Sequence, residues 1–190
     1  MSDGWDMKHI LTVCLLLMAL AFPLVSGART DLFPATMTIG DVTLERKGIS
    51  QLTVGYIFKV YDAAFYQPAE AGPGDALADI PRHLEINYLR GISREDFIKA
   101  ADDMLSEQHD PEVIRSIQTG IDQINLLYQD VRKGDRYALT YIPGVGTTLA
   151  FNGEVKGVIQ GSEFARIYFS IWLGENNPYK SFRDRLVGLK

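Results

Sequence analysis

Hydrophobic and polar residues alternate along several segments of the first half of the chain, and a period of two is typical of β-strands. Thr36 to Leu44 predicts a strand, or a hairpin that turns at Gly40-Asp41. A longer alternating run, Leu52 to Tyr66, predicts one strand, and Leu84 to Leu89 predicts another. Between these two, Pro68 to Pro81 is rich in Gly, Pro and Ala, which predicts a loop.

Apolar residues take up helical spacing after Ser93. Ser93 and Asp96 match a capping box, in which side chains satisfy the free N–H groups at a helix start. A second helix is predicted to begin at Asp110-Pro111, with Asp as N-cap and Pro at the first helical position. That helix is expected to end at Gly134, and Gly120 is a candidate position for a bend.

The last third of the chain predicts a three-stranded meander followed by helices. The strands are predicted at Arg136 to Ile142, Thr147 to Phe151 and Val155 to Ile159, with turns at Pro143-Gly144 and Asn152-Gly153. Two helices follow, Ser162 to Leu173 and about Pro178 to Val187. The order of elements predicts an α+β fold in which helices pack on one face of an antiparallel sheet.

One stretch of the second strand, FKVYDAAFY from Phe58 to Tyr66, places polar residues on two largely apolar faces. Lys59 and Tyr61 share one face, and Asp62 lies on the other. Buried polar groups need partners, so each of these residues is either structural or part of a site. The pattern favours a structural role for Asp62, as an acceptor for a neighbouring loop or helix end.

The N-terminus has the three regions of a secretory signal peptide, which predicts cleavage after residue 28 and a periplasmic or secreted protein. The alternative is a membrane anchor, although the apolar run Ile10 to Val25 is shorter than a usual span. Met7 is an alternative start to Met1. Residues 29–35 are predicted as a flexible lead-in, and 36–190 as the domain. Cys14 is the only cysteine, so the mature chain would have no disulfide and no thiol chemistry.

Charge and motifs exclude several functional classes. The net charge of −5 and the lack of a basic run argue against a nucleic-acid partner. Gly144-Val145-Gly146 lacks the third glycine and the helix of a phosphate loop. His83 and His109 have no partner at metal-ligand spacing, so no metal and no cofactor are predicted. The pairs Glu95-Asp96 and Asp102-Asp103 are interpreted as solvated helix faces.

Three separated patterns resemble the chalcone isomerase family in the order that the family has them. They are KGISQLTVGYIFKVYDAAFY, LRGISREDFIKAA and GTTLAFNGEVKGVIQGSEFARIYFSIWLG. The resemblance spans Thr36 to Lys190 and is closest to a bacterial, exported branch. It implies an open-faced β-sandwich: a large antiparallel sheet with helices layered on one face. In the plant enzymes of this family, an Arg, a Thr, a Tyr, an Asn and a Ser or Thr contact the substrate during an intramolecular ring closure.

Few of those contact residues are kept. The family Arg corresponds to Ser50 and the strand Thr to Tyr61. On the first helix, the family Tyr corresponds to Ser93 and the Asn to Ala100, and only Ser162 keeps its type. Loss of the cation removes a contribution often worth ~3 kcal/mol or more in a dry site. The superfamily also contains fatty-acid-binding members in which an Arg and a Tyr bind the carboxylate, and Tyr61 fits that Tyr.

Three functions remain open at this stage. The first is an exported, non-catalytic protein that binds a small apolar or amphipathic ligand such as a fatty acid. Its predicted ligand-binding residues are Tyr61, Ser50, Ser162, Lys59, Ser93 and Ala100. The second is an isomerase or intramolecular lyase, with Tyr61 as acid and Lys59 as cation. The third is a structural or interaction domain whose cleft has closed. The oligomeric state is left open.

Overall fold

The fold is known from a computed structural model that describes residues 32–55 and 57–190. The predicted signal peptide, residues 1–28, lies outside the described residues. Seven antiparallel strands form one sheet, in which each strand pairs with its neighbours along the chain. The strands are β1 Thr36–Ile39, β2 Val42–Val54, β3 Phe58–Gln67, β4 Arg82–Tyr88, β5 Arg136–Ile142, β6 Gly146–Phe151 and β7 Glu154–Ile159. The predicted α+β class with a large antiparallel sheet is confirmed.

The described helices pack on one face of this sheet and form the main core with it. They are α1 Arg94–Gln108, α2 Pro111–Ser116, α3 Gln118–Leu127, α4 Ser162–Leu173 and α5 Lys180–Leu186, with a short 3₁₀ turn at Pro73–Asp75. The central helix α4 has the predicted bounds, and most of its residues are buried. Helix α1 packs against α4, and α5 packs against β2. No helix within residues 32–55 and 57–190 is long and apolar enough to cross a membrane.

The predicted single strand from Leu52 to Tyr66 is wrong, because a turn divides it into the end of β2 and the start of β3. Gly55 has a φ of +57°, a left-handed conformation that glycine adopts without the cost of a Cβ clash. The two strands then pair in antiparallel fashion, with Val54 opposite Phe58. The hairpin brings the halves of the alternating run side by side.

The predicted second helix is divided as well, and the break is not at Gly120. The helical conformation ends at Ile117, whose φ and ψ are −111° and 10°, so α2 and α3 are separate helices. Gly120 lies within α3, where a Cβ would be 2.4 Å from the ring of Phe164. The glycine is therefore needed for close packing of α3 against α4 and not for a bend.

The opposite face of the sheet has a smaller core of its own. Its buried residues are Phe33, Leu44, Ala64 and Tyr66. Phe33 is wholly buried; Arg46 donates a hydrogen bond to its carbonyl, and the Arg136 guanidinium carbon is 5.1 Å from its ring centroid. Phe33 belongs to the predicted lead-in, so this part of the segment packs against the sheet.

Candidate ligand-binding site

A cavity of about 430 Å³ lies between the helix-covered face of the sheet and the helices α1, α4 and α5. Small-molecule sites typically have volumes of about 300 to 1,000 Å³. The lining residues come from β2, β3 and β4, from α1, α4 and α5, and from the segments before α1, after α3 and before α5. They are Leu52, Val54, Val60, Tyr61, Tyr88, Ile92, Asp96, Phe97, Ala100, Ala101, Asp103, Met104, Glu107, Tyr128, Tyr168, Ile171, Trp172, Asn177, Pro178, Tyr179 and Phe182.

Aromatic rings form much of the cavity wall and contact one another edge to face or in stacks. Tyr61 lies 5.8 Å from Tyr88 and 5.8 Å from Phe182, measured between ring centroids. Phe97 stacks on Tyr128 at 5.5 Å with nearly parallel planes. Such pairs are worth about 0.5–1.5 kcal/mol beyond the area that they bury, so the wall is a fixed surface.

The phenols of this wall stay neutral at physiological pH. Burial raises the pKa of Tyr61, and a hydrogen bond from the Trp172 indole partly offsets this rise. Burial also raises the pKa of Tyr128 and of Tyr168, whose hydroxyl oxygens are 2.7 Å apart. These groups offer hydroxyl hydrogen bonds to a ligand, and none of the three is a base at neutral pH.

Carboxylates of α1 lie along one side of the cavity mouth. Asp96, Asp103 and Glu107 are exposed and line the cavity at its edge. Asp103 pairs with Lys99 at 2.7 Å, and both side chains are mostly exposed. Asp96 accepts a hydrogen bond from the Ser93 hydroxyl at 2.8 Å. The sequence pattern predicted that Asp96 and Asp103 lie on solvated helix faces. Both are exposed, and both also border the cavity.

The other side of the mouth is apolar. Val54 and Val60 come from the β2–β3 hairpin, and Pro178 and Tyr179 precede α5. Val54 is 41% exposed and Tyr179 is 37% exposed, so this edge also reaches solvent. An occupant at the mouth would therefore meet acidic side chains on one flank and apolar side chains on the other.

Of the two residues predicted to share a face of β3, Tyr61 lines the cavity and Lys59 does not. The strand register gives the reason: Leu52 pairs with Tyr61 and Thr53 with Lys59, so Val60 is an extra, bulged residue. A bulge breaks the alternation of side chains. Val60 lines the cavity beside Tyr61, and Lys59 is exposed.

Asp62 is buried on the opposite face, where it accepts a hydrogen bond of 2.8 Å from the Gln51 side chain. Gln51 is its partner across the β2–β3 pair. A neighbouring strand therefore supplies one hydrogen-bond donor to Asp62.

Ser50, a predicted ligand-binding residue, is buried beneath α5 and does not line the cavity. Its hydroxyl accepts a hydrogen bond of 3.4 Å from the Arg185 guanidinium. The helix approaches closely because Gly48 has no Cβ: one added there would be 2.0 Å from the Arg185 carbonyl oxygen. Helix α5 therefore covers Ser50.

Ala100 and Ser93 lie on or beside the cavity, whereas Ser162 is remote from it. Ala100 is exposed on α1 and lines the cavity between the acidic residues. Ser93 is the N-cap of α1, accepting from the Asp96 backbone N–H at 3.1 Å. Ser162 is exposed at the start of α4 and lies beside the Tyr141 hydroxyl. Tyr141 pairs with Arg82, six residues along β4 from Tyr88, which is about 20 Å.

Around Tyr141, the helix-covered face is filled by a buried cation. Arg82 is wholly buried; its guanidinium carbon lies 4.8 Å from the Tyr141 ring centroid and 5.0 Å from that of Phe169. It donates to the Ala76 carbonyl at 3.1 Å, and the Tyr141 hydroxyl donates to Asp79. Burial lowers the pKa of Arg82 to about 10, so it remains charged at neutral pH.

Most cavity residues were not predicted from the sequence. Tyr88, Tyr128, Tyr168 and Trp172 lie on apolar stripes, and the spacing of the α4 stripe from Phe164 to Trp172 is that of a buried helix face. Phe164 is core, but Tyr168, Ile171 and Trp172 also line the cavity. The available signal was chemical: three tyrosines at otherwise apolar positions each bring a hydroxyl that needs a partner or a cavity.

Comparison with solved structures supports this architecture. The fold resembles the crystal structure of the Arabidopsis thaliana fatty-acid binding protein AtFAP1, with a TM-score of 0.62 and 15% sequence identity. The likeness covers 83% of this chain and 91% of that chain. At this identity it establishes the fold alone. No curated protein matches the sequence.

The sequence itself places the chain in a family. Residues 29–188 match the chalcone isomerase-like family, and the chain belongs to it. Both the resemblance inferred from three separated patterns and the fold that it implied are confirmed.

Proposed function

We propose that this protein binds a small apolar or amphipathic ligand in the cavity beside Tyr61 and releases it chemically unchanged. The observation that carries the proposal is the cavity itself: about 430 Å³, walled by aromatic and aliphatic side chains and open at its mouth. The family supplies precedent, because AtFAP1, which shares the fold, is a fatty-acid binding protein. A fatty acid is thus one ligand class to test.

The site chemistry supports binding over turnover. An isomerase or lyase would need a base or a cation near the reacting atoms. The Tyr61 hydroxyl is neutral at physiological pH, Lys59 lies outside the cavity, and the carboxylates that line the cavity are exposed at its edge, away from Tyr61 in the wall. Each of these observations favours a ligand-binding role for Tyr61 as a hydrogen-bonding group.

The proposal includes export to the periplasm or the medium. Its support is the signal-peptide pattern in residues 1–28. N-terminal sequencing of protein recovered from the native host, with cleavage found after residue 28, would support it. A chain that retains Met1 or Met7 in the cytosol would contradict export.

Direct binding of a neutral fluorescent probe, N-phenyl-1-naphthylamine, tests the binding proposal. The native protein should bind the probe, and Ala100→Trp should weaken binding about 10-fold or more because the indole would fill the cavity mouth. Ser106→Trp is the matched control, since Ser106 is exposed on the same helix and does not line the cavity. A folded native protein that leaves the probe in water would overturn the proposal, as would equal loss in both variants.

A further inference from the structure

We infer that the ligand of this cavity has a positively charged nitrogen at its mouth end, as in a primary amine or a quaternary ammonium on an apolar body. The inference rests on the proposed function and specifies the chemical class of the ligand. It concerns the head group of the ligand, which the fold alone leaves open.

The charges around the cavity carry the first step. Among the described lining residues none is Arg, Lys or His, and three are acidic: Asp96, Asp103 and Glu107. Lys99 offsets one of these by pairing with Asp103. Arg185 is bound to Ser50 beneath α5, and Lys59 is exposed and outside the lining. The electrostatic environment at the mouth therefore favours a cation.

A carboxylate in this cavity would lack a counter-charge. A buried anion needs a paired cation or several hydrogen bonds to offset its lost hydration. No Arg, Lys or His is among the described residues that line the cavity. At the mouth, the same anion would meet the carboxylates of α1, and like charges repel. The site is thus poorly matched to an ionised fatty acid.

The aromatic wall provides the second, independent step. A cation within about 6 Å of a Tyr, Trp or Phe ring is attracted by the negative face of the ring. This molecule already uses that interaction at the other end of the sheet, where Arg82 lies against Tyr141 and Phe169. At the cavity end, Phe97 and Tyr179 line the same space as the acidic residues, and no described lysine or arginine occupies it.

The two steps together fix the orientation of the ligand. Asp96, Asp103 and Glu107 lie on one stripe of α1 that extends over about 16 Å. The interior beyond this stripe is apolar and aromatic, with Met104, Ile171 and Phe182 in its wall. The apolar body would thus occupy the interior, and the nitrogen would lie near the carboxylates.

Three probes with the same ten-carbon chain test the head group: decanoate, decanol and decyltrimethylammonium. Each compound is titrated into a complex of the protein with N-phenyl-1-naphthylamine at pH 7.5 and low salt, and displacement of the probe is measured. We expect decyltrimethylammonium to bind at least about 10-fold more tightly than decanoate, and we expect the affinity of decanol to lie between the two. The gap should narrow at high salt, because the carboxylates at the mouth are exposed and are screened.

Paired variants separate the mouth from the overall charge. The double variant Asp96→Asn, Glu107→Gln should lower the preference for ammonium over decanol several-fold. The control variant Asp102→Asn, Glu95→Gln changes the net charge equally at exposed α1 positions that do not line the cavity, and it should keep the preference.

Two outcomes would overturn the inference in distinguishable ways. If decanoate binds as tightly as the ammonium, or if the control loses the preference equally, the inference falls while the proposed function stands. If none of the three ligands displaces the probe, the proposed function falls and the inference falls with it.

Discussion

The two ends of the helix-covered face use the same aromatic chemistry with opposite results. At one end, Tyr141 and Phe169 enclose Arg82, and the space is filled. At the other end, about 20 Å along β4, Tyr61 and Tyr88 border an open cavity with carboxylates at its mouth. At one end the rings enclose a cation of the protein itself. At the other end the rings border open space.

The difference shows how one sheet can carry both a closed, stabilising core and an open cavity. A guanidinium that is buried between rings stabilises the fold only if its desolvation is offset by contacts such as those with Ala76 and the two rings. Because the carboxylates of the cavity end are exposed, they cost little in the absence of a partner. The closed end is therefore expected to control unfolding, and the open end to control binding.

Arg82→Ala makes the strongest test of this division. The change leaves a void between two rings and removes the hydrogen bond to Ala76, so we expect the free energy of unfolding to fall by about 4 kcal/mol. Urea denaturation followed by circular dichroism measures this loss. Probe binding in the cavity should stay within twofold below the transition. Lost probe affinity at unchanged stability would show that the two ends are not separate.

Gly48→Ala acts on the cavity end through the backbone. The new Cβ would lie 2.0 Å from the Arg185 carbonyl oxygen and 2.7 Å from that of Leu186, so α5 must move away from β2. We expect a loss of about 3 kcal/mol in unfolding free energy and weaker probe binding, because α5 carries Phe182 of the cavity wall. Gly74→Ala is the control, since a Cβ there meets nothing within 4 Å. Equal stability of the two variants would contradict this account of α5 packing.

Acid pH should destabilise the protein through His83, which lies on the sheet face opposite the helices. Burial lowers the pKa of His83 to about 4 from its ordinary 6.5, and its Nδ1 is 2.7 Å from the Thr140 hydroxyl. As the pH falls, His83 is protonated in the unfolded chain before it is protonated in the folded protein. The stability that depends on neutral, buried His83 is therefore fully present above pH 6.5 and is lost as the pH falls toward 4. From pH 7.5 to 5, His83 should cost up to about 2 kcal/mol.

Urea midpoints at several pH values measure this slope in the native protein and in His83→Gln. The variant should have a flatter profile over the same range. His109→Gln is the matched control: burial lowers the pKa of this residue too, but it is only half-buried, so we expect its profile to change less than that of His83→Gln. An unchanged slope in His83→Gln would assign the acid sensitivity to other groups.

Ser93→Ala should have the smallest effect and decides the role of one predicted site residue. As N-cap of α1, the Ser93 hydroxyl accepts from the Asp96 backbone N–H, and such caps contribute about 1 kcal/mol. Stability should fall by that amount while probe affinity stays unchanged. Ser93→Asp, which preserves a cap, should restore stability. A selective loss of affinity in Ser93→Ala would instead make the hydroxyl a ligand contact.

Local signals were sufficient for much of the fold. The Asn152-Gly153 turn and the helix Ser162–Leu173 were predicted at their observed positions because the turn chemistry and the helical spacing agree there. The predictions failed at Gly55 and Ile117, where apolar residues continue through a change in direction. There the alternation of β2 and β3 and the spacing of α2 and α3 each suggest one uninterrupted element.

The site was predictable only where one strand defined it. Tyr61, which the resemblance named, lines the cavity, but the bulge at Val60 removed Lys59 from its face, and a bulge leaves little trace in alternation. Asp96 and Glu107 line the cavity because α1 packs against α4, a long-range arrangement that helical spacing does not encode. Tertiary packing, not local propensity, selected the chemistry of the cavity.

The strictly sequential strand order also has a consequence for how the molecule folds. Every strand pairs with its chain neighbour, and the three strands β5, β6 and β7 are joined by short turns, so contacts in that half are local and form early. The segment 89–135, which contributes α1 to the cavity, closes a long loop between β4 and β5 and pays more entropy to dock. We therefore expect the binding site to be completed last. Pulse-labelled amide exchange during refolding would then show protection in β5–β7 before α1.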